Sequence, residues 1–194
     1  MNRLRKKSQK PERAITGHKL QQFGSRVVQI AKLDKSTIQE LREDKTATGQ
    51  AIAVLLLVGS CYGFGYGVFS GIQAHNLSPT QTISGTIANL IFTDFAVFVW
   101  SATMFLVGTK LFQGKAGYWQ LARPLFFSTA PGMLFILIGI PIRPLIIAAA
   151  IVAAAWIVVA GFVVLRNVMG FNLQRALLTS VVSLLILAFI QMTI

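Results

Sequence analysis

Residues that carry chemistry are scarce in this chain: one cysteine, two histidines and six acids among 194 positions. Cys61 alone cannot close an internal disulfide, so cysteine usage does not reveal a redox compartment. His18 and His75 are the only imidazoles, which leaves a His/Cys metal centre almost without ligands. Only 12% of residues are charged, about half the share of an ordinary soluble domain. The apolar residues, 54% of the chain, gather into long runs. That pattern excludes a water-soluble globular enzyme, a disordered tail and a disulfide scaffold, and it points to a chain dissolved in a bilayer. Enzyme motifs are missing too: no phosphate-binding glycine loop, no zinc-protease helix, no second intramembrane acid to pair with Asp94. The expectation is a non-enzyme with no cofactor and no metal.

What is present is basic charge, unevenly placed. The net charge is +12, and residues 1–45 hold twelve of the eighteen Lys and Arg together with five of the six acids. Arg3, Arg5, Lys6, Lys7 and Lys10 form the densest patch. Such a patch attracts anionic headgroups, orients a membrane protein, or meets a soluble partner. Nucleic acid is not expected, because no aromatic residue interleaves the basic ones before Phe23. A cleavable signal peptide is not expected either, since the first long apolar run begins only near Ala51. Lys is as common as Arg in residues 1–31, which argues against a mitochondrial presequence.

Along the chain, residues 1–22 read as a basic tail and residues 23–47 as short amphipathic interfacial helices. In these, Phe23, Val27, Ile30 and Ala31 recur at helical spacing, and Ser36 followed by Gln39 forms a capping-box pattern opening a helix to about Asp44. Residues 48–194 then hold five stretches long enough to cross about 30 Å of hydrocarbon: 49–72, 84–109, 124–140, 145–165 and 173–193. Tyr118 and Trp119 fit an interfacial aromatic belt, and Pro141 and Pro144 flank the reversal at Arg143. The expected fold is all-α, a polytopic membrane bundle of five transmembrane helices. With the N-terminus in the cytoplasm, the inner segments carry the tail, Lys110, Lys115, Arg123, Arg166 and Arg175, whereas the outer ones carry only Arg143. The positive-inside rule is met at every loop. Asn76-Leu77-Ser78 matches a glycosylation sequon, which the following Pro79 and the short loop mark as chance.

Three features inside the spans are candidates for function. Gly59, Gly63, Gly67 and Gly71 recur every four residues and bare one helix face, either for close packing against the chain's own spans or as a seam for a second copy or a foreign subunit. Asp94 is the only acid in the hydrophobic region and falls near mid-bilayer, where an ionised carboxylate costs roughly 2.5–3.5 kcal/mol. Hydrogen bonding to Asn89, Thr93, Ser101 or another span is the expected remedy, with a proton or cation site as the alternative. Pro131 and Gly132 break the third span, as a plain kink or, as in some transporters, beside a binding site. The alanines from Ala148 to Ala155 mark the fourth span as a packing helix.

Four stretches taken together resemble a known family: IAKLDKSTIQELREDKTATGQA before the first span, the glycine-bearing span itself, LARPLFFSTAPGM, and WIVVAGFVVLRNVMGFNLQRALLTSVV. Over residues 26–194 the chain is similar to the prokaryotic branch of the Yip family. These are five-span membrane proteins whose eukaryotic members interact with Rab-type GTPases. The resemblance implies a cytosolic N-terminal region, a C-terminus flush with a prokaryotic cell membrane, and no catalytic residues. The tail 1–22 lies outside it. Three roles follow as expectations. One is a scaffold or adaptor that uses its N-terminal region to contact lipid or a cytosolic protein. Another is an accessory subunit of a larger, for example energy-transducing, membrane complex or homo-oligomer, joined through the Gly59–Gly71 face. The third is a small transporter or channel using Asp94 and the Pro131-Gly132 break.

Overall fold

A computed structural model describes residues 21–75 and 78–193. Arg3, Arg5, Lys6, Lys7, Lys10 and His18 of the basic tail, and Asn76 and Leu77 of the sequon, lie outside the described residues. Every regular element among the described residues is helical. Helix α1 covers 21–31 and α2 covers Lys35–Glu43. Long helices α3 (Thr48–Gln73) and α4 (Pro79–Lys110) follow. Next come α5 (Tyr118–Ser128) and a ten-residue 3-10 segment, Ala130–Gly139. The chain finishes with α6 (Arg143–Met169) and α7 (Leu173–Thr193). Helices α3, α4, α6 and α7 are each long and apolar enough to cross a membrane.

A bent pair of helices makes up the remaining candidate span, third in chain order. Helix α5 and the 3-10 segment meet at a 41° bend. Together they reach about 36 Å, because 3-10 geometry rises 2.0 Å per residue against 1.5 Å in an α-helix. They also run the length of the bundle. Arg123, midway along α5, touches the end of α2, whereas Gly139 lies against Gly65 and Val68, far along α3. Helix α6 then returns to the α2 end, where Asn167 accepts a bond from Gln39. The break falls between Ser128 and Ala130, a little before the predicted Pro131-Gly132. Pro131 sits in the first turn of the 3-10 segment, where its missing N–H has no helical partner to lose. Gly132 serves packing: a Cβ there would meet Val58 Cγ1 at 2.7 Å.

Two further expectations need correction. The start of α2 is capped by Asp34 rather than Ser36. The Asp34 carboxylate accepts from the Thr37 backbone N–H at 2.8 Å and from the Thr37 and Ser36 hydroxyls at 2.6 Å each. A charged cap two residues upstream outcompetes a serine at the same turn. The alanines of α6 divide by face: Ala149 and Ala153 are buried, whereas Ala148, Ala154 and Ala155 are exposed.

The densest core lies at the α1–α2 end of the bundle. Residues Leu121 to Ser128 of α5 are all buried. Ile30, Ile38, Leu41, Val54 and Leu165 join them there. Toward the other end, α4, α6 and α7 present large exposed side chains such as Ile91, Ile151 and Leu185, as a lipid-facing surface does.

Candidate functional site

The strongest polar construction lies where α1 and α2 meet the bundle. Both helices are short, and amphipathic helices of this length are marginal in isolation, so tertiary contacts must hold them. Arg26 of α1, 5% exposed, supplies the central one. Its guanidinium donates to Glu40 Oε1 at 2.6 and 3.0 Å, to Asp44 Oδ2 at 2.6 Å and to Gln50 Oε1 at 2.8 Å. One side chain therefore ties α1 to α2 and to the first turn of α3. Burial would lower the Arg26 pKa, but the hydrogen bonds and charges of Glu40 and Asp44 more than offset this and hold it above the ordinary value. Asp44 is held below the carboxylate range by the Thr46 hydroxyl and then by Arg26.

A second arginine works from below. Arg123, 4% exposed, donates from Nη1 to the carbonyls of Leu41 and Arg42, each at 3.1 Å. These belong to the last turn of α2, whose carbonyls lack helical partners and favour a cation. Phe23 packs on Phe127 with ring centroids 6.0 Å apart, and the Trp156 indole N–H donates to Ala31 O at 3.0 Å. Helices α1 and α2 thus form a fixed cap. Acid should undo it. Asp34 is lowered to about 2 by bonds from Ser36 and Thr37, against 3.8 unperturbed, so the unfolded cap binds more protons between those values. The stabilisation from Asp34 and Asp44 is present above about pH 4 and lost as pH falls toward about 2. Hydrogen exchange followed down the pH scale should show residues 21–44 losing protection there while α3 and α6 keep theirs.

The intramembrane candidates come together as one contact. Gly59, Gly63 and Gly67 of α3 all face α4. An added Cβ would stand 2.4 Å from Asp94 Oδ1 at Gly59, 2.4 Å from the Thr86 carbonyl at Gly63, and 3.1 Å from the Thr82 carbonyl at Gly67. Gly71, one turn on, is half-buried. Over Gly59, Gly63 and Gly67 the face is filled by the chain's own helix. Gly65, on the adjacent face, receives the 3-10 segment, with Phe135 O at 2.4 Å from a Cβ built there.

Asp94 is buried at this contact, 8% exposed, and neither carboxylate oxygen has a hydrogen-bond partner among the described residues. The expected hydrogen bonds are not made. Asn89 donates to Gly85 O at 2.8 Å, and Ser101 donates to Phe98 O at 2.8 Å and pairs with the Tyr118 hydroxyl at 2.9 Å. No other acid follows Asp44 in the sequence, so Asp94 has no carboxylate relay to join. A buried unpartnered carboxyl destabilises its surroundings, and Leu has nearly the same branched outline. Asp94→Leu should therefore raise the free energy of unfolding in detergent by about 1–4 kcal/mol. A loss of stability would reveal a partner for the carboxyl.

Sequence reasoning passed over Arg26 and counted Arg123 only as a loop charge. The available signal was an arginine inside Leu121-Ala122-Arg123-Pro124-Leu125, an apolar run with no acid nearby. Such a side chain needs acceptors, and here they are helix-end carbonyls.

Among protein families, the model described as the Yip1 domain matches residues 34–194. The chain belongs to the Yip1 domain family. A search of curated proteins and of solved structures finds no match. The Yip1 domain match begins at Asp34, the cap residue of α2, and so takes in α2 with Asp44 and Arg123 as well as the whole bundle. As a Yip1 domain protein with several apolar helices of spanning length, the chain is a multi-pass integral membrane protein.

Proposed function

We propose that this Yip1 domain protein is a non-enzymatic membrane scaffold or adaptor that works through its N-terminal region, by contacts with lipid or with a soluble protein. The observation that carries the reading is the cap. Helices α1 and α2 are bolted to the bundle by Arg26 and Arg123. Their outer surface exposes Lys32, Lys35, Glu43 and Lys45, and the chain before them holds Arg3, Arg5, Lys6, Lys7 and Lys10. A rigid mount for a charged segment suits recruitment better than catalysis. The reading divides the chain into tail 1–22, cap 23–47 and membrane domain 48–194. It takes the cap end as cytoplasmic, since Lys110, Lys115, Arg123, Arg166 and Arg175 belong to that end and Arg143 to the other. On the family resemblance it sets the protein in a prokaryotic cell membrane. The fixed-subunit reading through the Gly59–Gly71 face is less favoured, because α4 packs against Gly59, Gly63 and Gly67.

The test deletes residues 1–22 from the full chain in phosphatidylcholine proteoliposomes. Capture of added vesicles containing phosphatidylglycerol, or of a soluble partner cross-linked in native membranes, should be lost while the helical signal and thermal transition of the bundle stay unchanged. Binding that survives the deletion contradicts the proposal.

A further inference from the structure

Beside the cap, two hollows share one residue, Lys32. The first is an apolar groove of about 430 Å³ between α1, the start of the 3-10 segment and α6. Val27, Val28, Pro131, Leu134, Val152 and Trp156 line it, and Lys32 is its one charged residue. The second is a polar hollow around the turn from α1 to α2, lined by Gln29, Lys32, Asp34, Lys35 and Ser36. Lys32 belongs to both. We infer that this pair of hollows binds one anionic phospholipid from the leaflet on the cap side, its acyl chain in the groove and its phosphate between Lys32 and Lys35.

Three observations select that occupant. The groove combines an oily wall with a cationic rim, which matches an amphiphile and neither a metabolite nor a bare anion. Its wall is also fixed: Trp156, 42% exposed and midway along α6, where acyl chains lie, donates its indole N–H to Ala31 O. Charge complementarity is the third. Among the described residues no carboxylate lies within 4.0 Å of either lysine ammonium. The nearby Asp34 carboxylate is committed to Ser36 and Thr37. The turn itself is held in place, with Leu33 at φ 61° and the Leu33 and Asp34 amides bonded to the carbonyls of Ile30 and Gln29. The residues that line the site are outside 1–22, and the inference goes beyond the adaptor reading.

The test follows quenching of Trp156 fluorescence by lipids with brominated acyl chains, in the full chain carrying Trp100→Phe and Trp119→Phe, in detergent micelles. Brominated phosphatidylglycerol should quench saturably at lower concentration than brominated phosphatidylcholine. Lys32→Ala and Lys35→Ala should each weaken the phosphatidylglycerol site roughly fivefold, the worth of one lysine near a charged surface. Val152→Phe, which fills the groove, should weaken quenching by both lipids. Removing residues 1–20 should leave the headgroup preference intact. Equal quenching by the two lipids, a preference unmoved by the lysine changes, or a preference that disappears with the tail would each overturn the site. The last result would leave the adaptor reading standing, and capture that survives the tail deletion, with the groove preference intact, would do the reverse.

Discussion

Replacing Arg26 with alanine should free the cap and leave the membrane bundle folded. The substitution strands Glu40, Asp44 and Gln50 together, because all three accept from the same guanidinium. Glu40 is half-exposed and Asp44 about three-quarters covered, so water repairs part of the damage, and the loss falls below that of a wholly buried pair. Hydrogen bonds to charged groups contribute about 1.5–3 kcal/mol. A cap weakened by about 2–3 kcal/mol should open roughly 30- to 150-fold more often. Hydrogen exchange over residues 21–44 reads that directly, with α6 as the internal reference. Arg26→Lys should rescue little, since one ammonium cannot reach acceptors on two helices with a planar fork. Unchanged protection in Arg26→Ala would show that Phe23, Ile30 and Arg123 hold the cap without it.

The second large effect belongs to Gly63. A side chain there must enter the backbone of α4, where Thr86 O lies 2.4 Å and Leu90 N 3.2 Å from the Cβ position. Backbone cannot rotate aside as a flexible side chain does, so α3 and α4 must separate. Overpacking ordinarily costs about 1–3 kcal/mol, and Gly63→Leu should reach about 3 kcal/mol or more. Thermal unfolding in mild detergent measures it against Gly49→Leu, a helical position with open space around the Cβ. The expected result is an unfolded or aggregated Gly63→Leu beside a normal Gly49→Leu. If Gly63→Leu folds normally but loses a co-purifying subunit, the glycine face serves another chain instead.

Hydropathy sufficed for the long helices because crossing a bilayer demands a run of apolar residues whatever its neighbours do. The third traversal was harder to delimit. Its first half, α5, is a soluble-looking helix that starts at Tyr118, tolerates Pro124 internally, and is sealed by α1, α2 and α6 rather than by lipid. Burial by protein leaves no hydropathy threshold to detect. The glycine spacing in α3 was legible as a bare face, yet spacing alone does not distinguish an internal neighbour from an external one. Asp94 was legible as an anomaly but not as an unpartnered carboxyl, because partners are fixed by helix rotation. Arg26 was invisible for a similar reason: Glu40, Asp44 and Gln50 are 14 to 24 positions away, and only the turn at Leu33 brings them to it.

The central claim is a bundle traversed five times, with α5 and the 3-10 segment making one crossing and the cap lying at the end opposite Arg143. Single cysteines at Ser36, Ser78, Lys115 and Arg143 in a Cys61→Ala background, labelled in sealed vesicles with a membrane-impermeant maleimide, test it most directly. Ser78 and Arg143 should label together from one face, and Ser36 and Lys115 together from the other. Labelling of Arg143 from the same face as Lys115 would make α5 and the 3-10 segment a re-entrant hairpin, leave four crossings, and contradict the account.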